Sequence, residues 1–317
     1  MAEPAAPRRA DRTPPPPPST TSSATPRFRR FVALGDSLTE GVGDVPNPDG
    51  TERGWADRFA RQLAAVHPDL RYANLAVRGR LIADAHDQQL GAALALRPDL
   101  VSVVIGGNDL TRPRFDLHLG LARIDEIHRQ LHAAGATVLT ATVPDGALLA
   151  PAARLLRGRI ARFNEGVRRI AARRGSLLLD AERDEGLADP DLWCEDRFHL
   201  SPRGHDRLAE AMAGTLGLPG AAQLPVSTGP VSWDGVRRPG DDLRWVRAFL
   251  LPWLGRRLTG RSSGTGRRPK RPVLLPVTPL AANTDDAAAD TGHTPATATT
   301  TVSTADAGTD APDALTN

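Results

Sequence analysis

Short apolar runs alternate with longer amphipathic stretches from residue 31 to about residue 218. The runs are rich in aliphatic or β-branched residues and stop at Gly, Pro or Asp, which predicts strands. Five strands are predicted, at 31–34, 71–77, 100–105, 137–143 and 176–179. Between them, apolar residues recur every three or four positions, which predicts helices. The clearest helices are at 55–66, 117–134, 152–174 and 201–216, the last one starting with Ser-Pro, a typical cap and first residue.

This alternation predicts the fold class. Strands that are apolar along their whole length, with helices between them, are typical of a parallel sheet covered on both faces. We therefore predict an α/β protein with one doubly wound domain over residues 31–218. Ligands bind such sheets at the carboxyl ends of the strands, so reactive residues are sought directly after each strand.

The remaining segments differ in composition from this domain. Residues 1–30 are rich in Pro and Arg, and 261–317 are mostly of low complexity, so we predict disordered tails at both ends. Residues 219–260 are predicted to form a C-terminal extension with an amphipathic helix. The Pro/Arg-rich start lacks the apolar stretch of a signal peptide, and no run reaches the roughly 20 apolar residues of a membrane span. The expected location is therefore cytoplasmic.

Composition limits the chemistry further. The only cysteine, Cys194, excludes intrachain disulfides and any site that needs several cysteines. The 40 basic and 37 acidic residues nearly balance, with a net charge of +3, so the chain is not a general polycation. We expect no metal and no cofactor, and a monomer.

Reactive residues follow three predicted strands and precede the last predicted helix. Ser37 comes directly after the first strand, Gly79 after the second and Asn108 after the third, while Asp196 and His199 precede the last helix. Each of these is ordinary turn or cap chemistry when taken alone. Together they supply a serine hydroxyl, donors for an oxyanion and a carboxylate that can hold a histidine ring, which is a complete set for acyl transfer.

At this point the sequence resembles a known family, the SGNH hydrolases, also called GDSL esterases and lipases. The blocks that carry the resemblance are GDSLTEG (35–41), the glycine after NLAV (Gly79), GGND (106–109) and DRFH (196–199). The resemblance covers about residues 31–218. It implies a flavodoxin-like, three-layer α/β/α sandwich with a mostly five-stranded parallel sheet, and ester hydrolysis without a metal. The segments NLAVRGR and RWVRAFLLPWLGRR look like an actinobacterial subgroup of that family.

The resemblance also implies roles for individual residues. Ser37 is the expected nucleophile, His199 the general base and then the general acid, and Asp196 the residue that orients His199. The backbone N–H groups of Ser37 and Gly79 and the side chain of Asn108 are the expected oxyanion hole. Supporting positions are Asp36, Gly107 and Asp109. Arg78 stands where many members have a small polar residue. Its side chain either favours acidic or polar substrates or points outward, and we prefer the outward orientation.

Three features leave alternatives open. The fold and site also suit an acyltransferase or a carbohydrate deacetylase. Residues 241–258 predict either a helix docked on the domain, which we prefer, or a helix lying on a membrane surface. The Arg-rich segment 236–271, with eleven basic and two acidic residues, suggests a binding module for membrane or nucleic acid, although we do not expect nucleic-acid binding because no known reader motif is present.

Two other sequence features are set aside. The segment 260–264 matches the G-x-S-x-G pattern of another hydrolase class, but no strand is predicted before it. His205 falls inside the last predicted helix, and we interpret it as a structural residue.

Overall fold

The computed structural model describes residues 27–144, 151–184, 187, 189–220, 239–252, 255 and 263–279. Most of both predicted tails (1–26 and 280–317) lies outside the described residues, as does the beginning of the predicted C-terminal extension (221–238).

Six strands form one sheet in the order β5-β4-β3-β1-β2-β6. Strands β1 to β5 are parallel, and β6 runs antiparallel to β2. The strand order 2-1-3-4-5 is that of flavodoxin-like sheets, so the predicted fold class is confirmed. The strands are β1 (Arg30–Gly35), β2 (Arg71–Asn74), β3 (Leu100–Val104), β4 (Thr137–Ala141), β5 (Leu177–Leu179) and β6 (Arg271–Pro276).

Helices follow most of the strands. They are α1 (Ser37–Glu40), α2 (Gly54–Val66), α3 (Ile82–Asp84), α4 (Leu90–Ala95), α5 (Gly107–Leu110), α6 (Leu117–Ala133), α7 (Arg157–Arg174), α8 (Pro202–Leu216) and α9 (Pro239–Trp245). π-Helical turns join α3 to α4 (Ala85–Gln89) and extend α9 (Val246–Leu250), and 3₁₀ turns cover Pro151–Leu156 and Pro190–Leu192. None of the helices in the described ranges combines the length and the apolar character needed to cross a membrane.

The core lies in two layers on opposite faces of the sheet. Alternate residues of β1 divide between them, because successive strand residues point to opposite faces. Phe31 and Ala33 pack in the layer that contains α2 and α8, while Val32 and Leu34 pack in the layer that contains α6 and α7. This arrangement is the predicted three-layer sandwich.

The structure differs from the sequence analysis at β6. Residues 271–276 were assigned to a disordered tail, and the sheet was predicted to have five strands, but this segment pairs with β2 as a sixth strand. Pro272 and Pro276 lack the N–H that a central strand needs, which obscured the strand and confines it to the sheet edge.

Lys270 fixes the start of β6. Its ammonium group donates to the carbonyls of Glu52 and Arg53, both at 2.6 Å, and lies 2.9 Å from Oδ1 of Asp57. The side chain is only 7 % exposed, and burial lowers the pKa of Lys270. This edge strand is therefore held by charge and hydrogen bonds as well as by strand pairing.

Side-chain hydrogen bonds mark the end of β2 and the start of α8. The second strand ends at Asn74, three residues earlier than predicted, because the Asn74 amide bonds the Thr39 carbonyl at 2.8 Å and the Tyr72 hydroxyl at 2.9 Å. At the start of α8, the Ser201 hydroxyl accepts from the Gly204 N–H at 3.3 Å, which confirms the predicted Ser-Pro helix start.

Candidate active site

Ser37 lies where β1 gives way to α1, at the centre of the sheet edge. Gly35 ends the strand, and a Cβ there would lie 2.4 Å from the Val104 carbonyl oxygen, so only glycine fits. Asp36 then caps α1, because its Oδ1 accepts from the Leu38 N–H at 3.2 Å. Ser37 is the first residue of the helix and is half-buried.

Asn108 follows β3, the strand that pairs with β1. Its turn is tight, since Gly106 has a φ of 122° and a Cβ there would lie 2.5 Å from the Phe163 ring. The Asn108 amide Nδ2 donates to Oδ2 of Asp36 and to the carbonyl of Arg80, both at 3.1 Å. One side chain thus joins the turns after β1, β2 and β3. Gly107 is exposed, and Oδ2 of Asp109 accepts from the Ile82 N–H at 3.1 Å.

Gly79 lies in the turn after β2, beside Asn108. Its φ of 76° is in the left-handed region, which favours glycine. The adjacent Arg78 is bound to Glu40 of α1: its backbone N–H donates to Oε2 at 2.5 Å and its Nε to Oε1 at 2.8 Å. Its guanidinium also lies 3.1 Å from Glu52.

The expectation that Arg78 points outward is therefore wrong. Glu40 is buried, and an unpaired buried carboxylate is costly, so the arginine is held inward as its partner. The C-terminal segment packs on the same turn, since a Cβ on Gly264 would lie 2.0 Å from the Arg78 carbonyl oxygen. Gly264 belongs to the G-x-S-x-G match that was set aside, and residues 260–262 of that match lie outside the described residues.

Asp196 and His199 form a hydrogen-bonded pair. Nδ1 of His199 lies 2.6 Å from Oδ2 of Asp196. The other carboxylate oxygen accepts from the backbone N–H groups of Phe198 at 2.9 Å and His199 at 3.0 Å. Burial acts to raise the pKa of Asp196, but the hydrogen bond and charge of His199 outweigh it, so the pKa lies below its usual value. Asp196 is therefore suited to remain ionised and to hold the ring.

The loop that carries His199 packs against the residues that follow α1. A Cβ on Gly43 would lie 2.3 Å from the Leu200 carbonyl oxygen and 3.4 Å from Cβ of His199. The thiol of Cys194 contacts the carbonyls of Gly43 at 3.7 Å and Leu200 at 3.3 Å. These contacts bring the histidine to the same edge of the sheet as Ser37.

The described residues form no hydrogen bond between Ser37 and His199. Neither the Ser37 hydroxyl nor Nε2 of His199 has a hydrogen-bond partner among them. Catalytic hydrogen bonds of this kind are often long without substrate and shorten in the complex.

Two further carboxyl groups, those of Asp36 and Asp109, are buried at the turns after β1 and β3. Burial raises the pKa of Asp36 to about 6, although the Leu38 N–H, the charge of His199 and the Asn108 amide act against it. Burial also raises the pKa of Asp109 to about 6, and the negative charge of Asp36 adds to that effect.

His205 is fully buried in α8, as the interpretation of a structural residue requires. Its Nδ1 accepts from the Trp55 N–H at 3.1 Å and its Nε2 lies 3.2 Å from the Val42 carbonyl. Both nitrogens are thus occupied by the backbone, and burial lowers the pKa of this histidine to about 4.

Sequence reasoning missed two supports of the site. Glu40 belongs to the GDSLTEG block but was not connected with Arg78. Trp245 of α9 lies in the segment 241–258 that was predicted as a docked or membrane-surface helix, and no contact with Asp196 was foreseen; its indole N–H donates to the Asp196 carbonyl at 2.8 Å. No local pattern connects residues 40 and 78, or residues 196 and 245.

A serine at a strand-to-helix turn, amide donors beside it and an Asp/His pair at the same sheet edge define a serine-hydrolase type of site. Residues 33–207, more than half of the chain, match the GDSL-like Lipase/Acylhydrolase family. The chain therefore belongs to this family. The predicted carboxylic ester hydrolase activity is confirmed at the level of the family.

Individual relatives agree with this assignment. The chain is 27 % identical over 210 residues to an acetylxylan esterase from Geobacillus stearothermophilus, which covers 59 % of this chain and 94 % of that protein. The crystal structure of a catalytic mutant of Axe2, an acetylxylan esterase from the same organism, matches with a TM-score of 0.51 and 22 % identity, over 60 % of this chain and 94 % of that one. The crystal structure of TesA matches with a TM-score of 0.50 and 24 % identity, over 59 % and 98 %. These structural similarities show the shared fold.

Proposed function

We propose that this protein is a serine esterase in which Ser37, His199 and Asp196 form the catalytic triad. The observation that carries the proposal is the 2.6 Å contact between Nδ1 of His199 and Asp196. An ionised carboxylate at Nδ1 keeps the proton on that nitrogen, which leaves Nε2 as the base. The packing of Gly43 against His199 supports the approach of that base to the serine turn.

The proposed reaction has two steps. Ser37 Oγ attacks the ester carbonyl while Nε2 of His199 takes the hydroxyl proton, and the imidazolium then protonates the leaving alcohol. Water, activated by His199, attacks the resulting acyl-enzyme and releases the acid. Asp196 stabilises the imidazolium in both steps without accepting the proton.

The proposed oxyanion hole uses three donors. The Ser37 N–H is at the first residue of α1 and has no acceptor among the described residues, as is usual at a helix start. The Gly79 N–H and the Asn108 amide come from the turns after β2 and β3. The hydrogen bonds of the Asn108 amide to Asp36 and to the Arg80 carbonyl support its role, because they hold the amide beside the serine before substrate arrives.

A second candidate function is removal of acetyl groups from carbohydrate. It is favoured by the similarity to an acetylxylan esterase along 94 % of that protein's length. The same triad and oxyanion hole serve both functions, because the difference lies in the alcohol and not in the bond that is broken. An acyltransferase also uses this chemistry, with an alcohol in place of water.

The test is an ester panel with Ser37→Ala as the control. We expect turnover of short p-nitrophenyl esters by the wild type and none by Ser37→Ala, with unchanged thermal unfolding of the variant. Persistent turnover in Ser37→Ala would eliminate the triad. Faster release of acetate from acetylated xylo-oligosaccharides than from p-nitrophenyl acetate would favour the deacetylase, and ester exchange in the presence of an added alcohol would favour the acyltransferase.

Several finer assignments stay predictions. They are membership of an actinobacterial-type subgroup, a cytoplasmic location, a monomeric state and, for 241–258, the alternative of peripheral membrane contact beside the preferred docked helix. The similarity of NLAVRGR and RWVRAFLLPWLGRR to that subgroup supports the first of them. Size-exclusion chromatography with light scattering tests the monomer, and co-sedimentation with anionic vesicles tests the membrane contact.

A further inference from the structure

The loop that bears the Asp/His pair has little regular structure of its own. An isolated bridge between Trp193 and Leu200 closes it, and the Cys194 N–H donates to the His199 carbonyl at 2.8 Å. Inside the loop that this bridge closes, Arg197 has a φ of 59°. It is one of only two residues other than glycine with a positive φ among the described residues. Such a conformation costs free energy and persists only when surrounding contacts enforce it.

Within the loop, the Arg197 N–H donates to the Cys194 carbonyl at 2.9 Å, and further contacts come from α9. The Arg197 guanidinium lies 2.6 Å from Oδ1 of Asp242 and 5.2 Å from the centre of the Trp245 ring. The Phe198 ring lies 5.7 Å from the same indole. The Trp245 N–H completes the set by donating to the Asp196 carbonyl at 2.8 Å.

Trp245 is thus the centre of the contact between α9 and the loop of residues 193–200, here called the catalytic loop. Its side chain is buried, with 4 % exposure, whereas Leu243 on the same helix is 55 % exposed. It touches three consecutive residues, Asp196, Arg197 and Phe198, and the next residue is His199. The whole of α9 lies outside residues 33–207, which match the family.

We propose that α9 is a positioning element of the active site, which holds Arg197 in its left-handed conformation and so sets the position of His199. This inference rests on the proposed function, because it gives α9 its role through the Asp196–His199 pair. Trp245 and Asp242 are positioning residues: they touch the catalytic loop and not the reacting atoms.

The physical argument is geometric. Asp196 is held from two sides, with its carboxylate accepting from Phe198 and His199 and its carbonyl accepting from Trp245. Loss of the indole contact removes one side and frees the strained Arg197 to relax. Because triad chemistry depends on sub-ångström placement of the base, a small shift of His199 lowers the rate of the chemical step more than it weakens substrate binding.

The experiment measures kcat and KM for p-nitrophenyl acetate in the full chain. Trp245→Phe keeps an aromatic ring under Arg197 but removes the donor to Asp196, and we expect kcat to fall about tenfold with KM within about twofold. Trp245→Ala removes both, and we expect a fall on the order of 100-fold. Leu243→Ala is the matched control on the same helix, and we expect it to retain the wild-type kcat. Thermal unfolding of each variant is recorded in parallel.

A double-mutant comparison isolates the backbone strain. Glycine accepts a φ near 59° without a Cβ clash, so Arg197→Gly removes the need for enforcement as well as the guanidinium contacts. We expect Trp245→Ala to lower kcat several-fold less in the Arg197→Gly background than in the wild type.

The outcomes separate the two proposals. Activity that survives Ser37→Ala overturns the triad itself. If Ser37→Ala is inactive but both Trp245 variants keep the kcat of Leu243→Ala, α9 is not a positioning element, even if Trp245→Ala melts at a lower temperature. A parallel rise of KM with no change in kcat also overturns the inference, because it indicates a role in substrate binding instead.

Discussion

The two halves of the candidate site are built differently. Ser37 and Asn108 follow two paired central strands, β1 and β3, and the Asn108 amide joins them directly through Asp36. His199 lies on an irregular loop whose shape depends on contacts from α9, a helix far away in sequence. The serine half is therefore held by the sheet itself, whereas the histidine half requires an element added outside the family match.

The electrostatics of the halves also run in opposite directions. Burial raises the pKa of Asp36 and of Asp109 to about 6, so the ionised form of each carboxyl group is disfavoured in the serine half. In the histidine half, His199 lowers the pKa of Asp196 despite burial.

The largest expected effect comes from removing the base. His199→Ala should lower kcat for p-nitrophenyl acetate by about 10⁴-fold or more, and Ser37→Ala by a similar factor. Because the two residues act as one unit, the double variant should be no worse than either single variant. Steady-state kinetics check this, and additive losses would contradict a shared step and break the connection between the halves.

The next effect concerns the serine half alone. Asn108→Ala should lower kcat by about 10²–10³-fold with little change in KM, because an oxyanion donor acts mainly in the transition state. Asn108→Asp keeps the size but replaces the donor with a negative charge next to Asp36, so we expect a loss of kcat at least as large. A rise in KM at constant kcat would instead assign Asn108 to substrate binding.

A smaller effect, on stability, is expected from the Arg78–Glu40 pair that supports the Gly79 turn. Arg78→Met leaves a buried carboxylate without its partner and should lower the free energy of unfolding by about 2–3 kcal/mol. Arg78→Lys keeps a charge but not the two-nitrogen contact, so its loss should be smaller. Urea unfolding measures both, and equal losses would show that the charge contributes nothing.

The smallest expected effect is in the pH dependence of stability. The pKa of Asp109 in the folded protein, about 6, exceeds its usual value of 3.8, so protonation favours the folded state. That contribution is complete below about pH 4 and is lost as the pH rises through 6. Asp109→Asn should therefore be more stable than the wild type above pH 6 and should lose the advantage near pH 4. An advantage that grows at low pH would reverse the sign and refute the raised pKa.

Short sequence blocks predicted the candidate catalytic residues but not the long-range contacts that hold them in place. Ser37, Gly79, Asn108, Asp196 and His199 each follow a predicted element or lie in a short block, so the blocks and their order sufficed to propose them as site residues. The contacts of Trp245 with Asp196 and of Lys270 with Asp57 join residues that are distant along the chain. No periodicity carries such information, because it arises only once the elements pack.

Some parts of the fold were hidden for local reasons. Strand β6 contains two prolines and adjoins a low-complexity segment, so composition outweighed its short apolar run. The crossover between β2 and β3 is broken into α3, a π-helical turn and α4, and no amphipathic stretch of ordinary length marks it. The long helices and the five parallel strands were predictable because their apolar patterns persist over whole elements.

Lys270 is the single lysine of the chain, and its amine is buried beneath the sheet edge. An acylating reagent can modify that amine only when the side chain leaves the carbonyls of Glu52 and Arg53 at the start of α2. The rate at which one modified peptide accumulates in a mass spectrum therefore measures the release of this anchor, with no engineered probe.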